Sequence, residues 1–391
     1  MLASRLDESY SDEVRAAITP LTIAKVTANS AYRYISPFIA TVASGLDISL
    51  ATIGTAIAIS EIVGLSAPLL IRFSGRYRRR PVICAGMLGM GLGAGIAATS
   101  TEAVQFTVGI TVLALAKIVF DLGTIAWFTD RVDYIRVGRV IGLIESAWAI
   151  GLFTGVVLMG LLTGLTSWRW GYVLAIVAMA VMAAILRERL PDEPARPAVV
   201  AGAKGFTFNL GPAWWVIAAT IALTASAQAI FVTFGKWLQD DFDFSDTQLA
   251  IVIFGLGGFE LLASLASAGF ADRWGKQRST MYAAAAMIPT VGGVAFLHSH
   301  LAVGLALLAL FIVAFEFAIV STVSLANGLV PSNASAGLGM MVSGATLGRA
   351  VMAPIATSTF TSHGMWLPAA LGAACAMITL GCHLRYRATR V

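Results

Sequence analysis

Long apolar stretches separated by short polar breaks run along the whole chain. Residues 81–101, 214–235 and 350–383 carry no Asp, Glu, Lys or Arg. A helix needs about 20 apolar residues to cross the hydrocarbon layer of a bilayer. The polar breaks divide the chain into twelve expected spans, at 18–45, 49–71, 81–100, 104–128, 139–164, 170–186, 212–236, 247–270, 279–297, 301–326, 337–360 and 366–384. The pattern predicts an all-α membrane protein with twelve transmembrane helices.

The halves repeat. Leu46-Asp47-Ile48-Ser49 recurs as Phe242-Asp243-Phe244-Ser245, at an offset of 196. A loop after the second span, Arg72-Phe73-Ser74-Gly75-Arg76-Tyr77-Arg78-Arg79-Arg80, recurs as Gly269-Phe270-Ala271-Asp272-Arg273-Trp274-Gly275-Lys276-Gln277-Arg278. The expected division is an N-terminal six-helix bundle at 1–186, a polar proline-containing linker at 187–211 and a C-terminal six-helix bundle at 212–391. Parallel repeats of this kind enclose a site near the membrane midplane.

Composition and charge sharpen this reading. The chain is 58% hydrophobic and 12% charged, against about 25% charged in soluble domains. With the N-terminus inside, twenty of the 26 Lys and Arg fall on the inner face. That asymmetry predicts a multi-pass inner (plasma) membrane protein with both termini cytoplasmic. The basic clusters are then topological signals, so no nucleic-acid partner is expected. The acidic start of the chain is unlike a cleavable signal. Three cysteines within spans offer neither a disulfide frame nor metal spacing. Four scattered histidines assemble no catalytic site, so neither enzyme activity nor a cofactor is expected.

With these motifs in place, the chain resembles the major facilitator superfamily over essentially its full length. That family's loop reads G-x-x-x-D-R-x-G-R-R. The second copy matches it at Asp272, Arg273, Gly275 and Lys276, whereas the first has Gly75 at the acidic position. In span five, Gly142, Gly151, Gly155 and Gly160 follow the spacing of the family's antiporters, with Val156 in place of proline. The segments around Asp121, Asp130 and Glu145 are similar to a bacterial, drug-exporter-like branch. The resemblance implies two pseudo-symmetric six-helix bundles and alternating access.

Charges inside spans mark the expected chemistry, because a charge at the centre of a span costs about 2.5–3.5 kcal/mol on insertion scales. Arg33, Glu61, Lys117, Asp121, Glu260, Glu316 and Arg349 form the expected substrate and proton cavity. Lys117 and Asp121 stand at i,i+4 on one helix face. The resemblance places spans one, four, seven and ten on the cavity, which favours Arg33, Asp121 and Glu316. Aromatic residues including Tyr32, Tyr34, Phe120, Trp127 and Trp148 are expected around them. The cytoplasmic gate is expected at Arg76, Arg79, Asp130, Arg131, Glu145, Asp272, Arg273, Gly275 and Lys276, with Glu145 meeting Arg76 or Arg78 to Arg80. The reading is a monomeric, proton-coupled exporter of a small amphipathic molecule. Uptake by symport, uniport and a transporter-like receptor are the alternatives.

Overall fold

A computed structural model describes residues 6, 10–66, 70, 77–191, 211–326 and 334–388, apart from the side chains of 134, 135, 137, 138, 268–274, 324, 334–336 and 338. Most of the linker expected at 187–211, and Arg76, lie outside the described residues. Every regular element among those described is helical. This follows from the solvent, since hydrocarbon offers backbone N–H and C=O groups no partners and the helix satisfies them internally. Large apolar side chains such as Leu88, Leu92, Leu158, Leu262 and Phe296 are exposed, as lipid-facing positions require.

Among the described residues nine helices are long and apolar enough to span a membrane, or ten if a pair bent by 113° is one span. The twelve-span count is consistent with these. The expected span 18–45 is broken into α1 (Asp12–Arg33) and α2 (Ile39–Gly45), and 49–71 corresponds to α3 (Leu50–Ile62). Next come α4 (Arg79–Ala98) and α5 (Ala103–Thr129). The fifth span is interrupted: α6 (Tyr134–Glu145), α7 (Ala147–Ile150), a π turn at Gly151–Val156 and α8 (Val157–Leu165). Then follow α9 (Trp168–Arg189), α10 (Trp214–Phe231), α11 (Phe234–Phe242), α12 (Asp246–Trp274), α13 (Lys276–Leu297), α14 (Leu301–Ala326), α15 (Ala334–His363) and α16 (Trp366–Ala388).

The internal repeat is conformational as well as textual. Asp47 and Asp243 both adopt left-handed backbone, with φ of 53° and 55°. Asp tolerates this region better than most residues. Two residues on, Ser49 and Ser245 cap the next helix by accepting the N–H of Thr52 and Gln248.

The chain forms two compact units, Met1–Ile35 with Ser66–Gly205, and Ser36–Leu65 with Phe206–Val391. In the first, glycines let helices meet closely. Gly86 of α4 faces the backbone of Phe120, and Gly93 faces Leu113 and Gly109 of α5. Tyr34, Phe106, Trp168 and Tyr172 interlock edge-to-face. The Tyr34 hydroxyl lies 2.5 Å from Thr163 Oγ1 and donates to the Trp168 carbonyl at 3.0 Å. Tyr34, Phe120 and Trp127 are therefore core side chains of this unit, fully buried.

In the second unit, α10 packs on α15 and α16. Thr224 Oγ1 donates to the Ala345 carbonyl at 2.9 Å and Ser226 Oγ to that of Gly372 at 2.8 Å. The α3 helix lies on α15, where Gly54 receives Thr357 and Gly64 receives Thr346. Near α2, Asp246 accepts from Thr41 at 2.5 Å and from Gln239 at 2.9 Å.

Candidate functional site

In the first unit, α1 bears Lys25, Asn29 and Arg33 at four-residue intervals, which place them on one helix face. That face meets the interrupted fifth span. A Cβ added to Gly151 would come 3.1 Å from Asn29 Cβ, and one on Gly155 would collide with the Ser30 hydroxyl. The Ser30 hydroxyl donates to the Gly151 carbonyl at 3.1 Å. The glycines thus bring α1 close enough for its charged side chains to reach their partners.

Lys25 is 3% exposed. Its ammonium donates to Glu145 Oε1 at 2.6 Å and lies 3.7 Å from Asp121 Oδ1. Lys117 donates to the other oxygen of Asp121, Oδ2, at 2.6 Å. Two lysines and two carboxylates from α1, α5 and α6 therefore alternate in sign. The pairs offset the desolvation of each charge, which none could bear alone. Accessibility is uneven: the Glu145 side chain is 47% exposed, Asp121 23% and Lys25 4%. Aromatic rings cover one end. The Lys117 ammonium lies 5.4 Å from the Tyr32 ring and 5.6 Å from that of Trp148. Arg33 stacks 4.8 Å over Trp148 and donates from Nη1 to its carbonyl at 3.1 Å. Both are cation–π contacts, favoured where water is partly excluded.

The other residues expected at a cavity lie in the second unit. Buried Glu61 of α3 pairs with half-buried Arg349 of α15, with Oε2 2.9 Å from Nη2 and 3.0 Å from Nε. Glu260 of α12 and Glu316 of α14 are buried.

Where α4 begins and α5 ends, Arg79 Nε donates to Asp130 Oδ2 at 2.9 Å. Arg131 Nε donates to Glu13 at 2.9 Å, and its guanidinium stacks 4.1 Å over Trp127. Arg80 donates to the Arg187 and Leu190 carbonyls, closing the end of α9. Glu145 takes Lys25 rather than the loop arginines as its partner. Sequence reasoning omitted Lys25; its four-residue spacing from Asn29 and Arg33 was the available signal. In the second copy of the loop, Gly275 has φ of 83° and joins α12 to α13, a backbone that favours glycine. Lys276 follows it, exposed. The side chains of Asp272 and Arg273 lie outside those described.

The chain is 30% identical over 153 residues to the MFS-type transporter YwfA of Bacillus subtilis (strain 168), a stretch covering 39% of this chain and 37% of that protein. It is 27% identical over 184 residues to the transporter YgaY of Escherichia coli (strain K12), covering 45% of each. The matches thus span less than half the length of these curated relatives. Solved structures share the fold. The human organic anion transporter MFSD10 superposes with a TM-score of 0.72 at 17% identity, over 96% of this chain and all of that one. A bacterial homologue of the human lysosomal transporter Spinster, inward-facing and unoccupied, gives 0.73 at 13% identity, over 97% of this chain and 94% of its own. The pattern of the Major Facilitator Superfamily runs through residues 21–353. A multi-pass all-helical chain with that pattern along most of its length, and with that fold, belongs to the Major Facilitator Superfamily of transporters.

Proposed function

We propose that this transporter exports a small amphipathic molecule in exchange for protons, by alternating access in the cell inner membrane, as a monomer with both termini cytoplasmic. The observation that carries this reading is the alternation of Lys25, Glu145, Asp121 and Lys117, with both lysines buried and both carboxylates partly exposed. Ionisable groups inside a span are costly and usually serve transport or proton movement. Here two carboxylates share two ammonium groups, and two carboxylates are partly exposed. A proton binding there redistributes those contacts. Coupling requires proton and cargo to bind the two facing states with different affinity. Tyr32 and Trp148 supply apolar surface for the cargo beside Arg33.

Arg33, Lys117 and Asp121, together with Glu61, Glu260, Glu316 and Arg349, are assigned to the cargo and proton pathway, and Lys25 joins them. Asp121 and Glu316 are the proposed proton carriers. The cytoplasmic gate is assigned to Arg76, Arg79, Asp130, Arg131, Asp272, Arg273, Gly275 and Lys276, with Glu145 linking gate and cluster. The two sequence halves, 1–186 and 212–391, are the proposed rocking bundles.

The test is transport by the purified protein in proteoliposomes under an imposed pH gradient, against a mixed panel of metabolites and drugs. Cargo accumulation against its gradient while protons run down theirs supports the reading. Cargo moving with the protons identifies symport, gradient-independent flux identifies uniport, and binding without flux identifies a receptor.

A further inference from the structure

The four-charge cluster has one unequal contact. Lys25 stands between carboxylates from two other helices but hydrogen-bonds only one, with Nζ 2.6 Å from Glu145 and 3.7 Å from Asp121 Oδ1. Asp121 Oδ1 is buried and accepts no hydrogen bond, while Oδ2 is held by Lys117. A buried acceptor left unsatisfied is unfavourable. About 1 Å separates the Lys25 ammonium from filling it, a displacement that a rotation in its long flexible stem supplies.

We propose that Lys25 is a positioning residue that passes its ammonium from Glu145 to Asp121 when Glu145 takes up a proton. This rests on the proton-coupled reading above. The Glu145 side chain is far more exposed than that of Lys25. An O–H bond forms on the Glu145 carboxylate, its ion pair with Lys25 breaks, and Lys25 turns an N–H towards Asp121 Oδ1. The ammonium keeps its own protons. The four groups pass from net zero to net +1, and release of the proton reverses both changes. Charged groups facing Lys25 are Asp121 and Lys117 from α5 and Glu145 from α6, with Arg33 two turns along its own helix. No charged side chain comes from α7 or the π turn.

The position of Glu145 gives the handover a mechanical outlet. It is the last residue of α6, immediately before the junction at Ser146, and the π turn begins six residues later at Gly151. Interruptions of this kind are places where a helix can re-register, and π turns often sit at functional sites. While paired, Lys25 ties the end of α6 to α1. Once protonated, Glu145 releases that tie and frees the end of α6 from Lys25, while Ser30 and Arg33 still hold α1 to the π turn and α7.

The experiment uses the full chain in nanodiscs without cargo. Proton uptake is counted with a pH-indicator dye between about pH 8 and 3, a window that takes in the ordinary carboxylate and histidine ranges. The high-resolution structure of Glu145→Gln, which mimics the protonated side chain, is then determined. The expected result is one proton fewer taken up by the variant than by the parent, with Lys25 Nζ within about 3.2 Å of Asp121 Oδ1 in the variant, a hydrogen-bonding distance. If the parent takes up that proton but Lys25 in Glu145→Gln stays beyond hydrogen-bonding distance of Asp121, the handover is overturned and proton coupling stands. If the parent takes up no extra proton, both fall. Lys25→Met gives a second reading that needs no structure: with no ammonium to hand over, the proton-uptake curve of the full chain should move away from that of the parent. An unchanged curve overturns the role given to Lys25.

Discussion

Replacing Lys25 by Met isolates the electrostatics of the cluster, because the stem is kept and the ammonium removed. The loss falls unevenly on the two carboxylates. Asp121 retains Lys117 at 2.6 Å. Glu145 loses its partner, but its side chain is 47% exposed, so water takes over part of the solvation. Removing one partner of a fully buried pair costs about 3–5 kcal/mol, and an exposed pair contributes about 0–1 kcal/mol. The half-open geometry places Lys25→Met between these limits, at about 2 kcal/mol of destabilisation. The double variant Lys25→Met with Glu145→Gln leaves no orphaned charge and should recover about half of that loss, because contacting residues are not additive. Thermal unfolding in nanodiscs, read at one scan rate for parent, single and double variants, measures this as a drop of a few degrees with partial recovery. If Lys25→Met unfolds with the parent, or the double variant is no more stable than Lys25→Met, the cluster is not held by the Lys25–Glu145 pair.

Other contacts give further tests. Gly155→Val drives a branched side chain into Ser30 and should force α1 from the fifth span, lowering unfolding temperature and transport together; a variant matching the parent would show that the close approach is dispensable. Arg33→Lys keeps the charge but loses the planar stacking on Trp148, so transport should fall severalfold with little change in unfolding temperature, as read by parallel flux and melting assays. Arg79→Ala and Asp130→Asn should each impair transport, and the double variant no more than the worse single; additive losses would show that the two do not act as a pair. Gly54→Leu should disrupt the packing of α3 on α15 at Thr357, which crosslinking yield between cysteines placed on these helices would report.

The helices and their order were legible because hydrocarbon imposes a strong pattern: uncharged runs of sufficient length can be little else. The breaks were less so. The interruption between Tyr34 and Phe38 had a local signal in Ser36-Pro37, since proline lacks a backbone donor and disfavours helix at the residue before it, and the packing of Tyr34 against Thr163, Trp168 and Tyr172 accompanies it. The Lys117–Asp121 contact was readable because both partners lie one turn apart on one helix. The Lys25–Glu145 contact is 120 residues apart, and no local rule joins the two. Glu145 was assigned to the loop arginines by its nearness in sequence to a basic region, whereas the glycines of the fifth span carry it towards α1. Aromatic residues were hardest to sort, since Tyr34 and Trp148 look alike in sequence and one is core while the other is partly exposed.

The central claim is that protons move through carboxylates of the span interior and drive the cargo. The most direct measurement compares two modes in the same proteoliposomes, accumulation driven by a pH gradient and cargo exchange at equal pH, for the parent, Asp121→Asn and Glu316→Gln. Neutralising the carrier should abolish accumulation while exchange continues, because cargo can still be carried in both directions without a proton. If both variants retain full pH-driven accumulation, neither carboxylate carries the proton and the coupling assigned to this site is wrong.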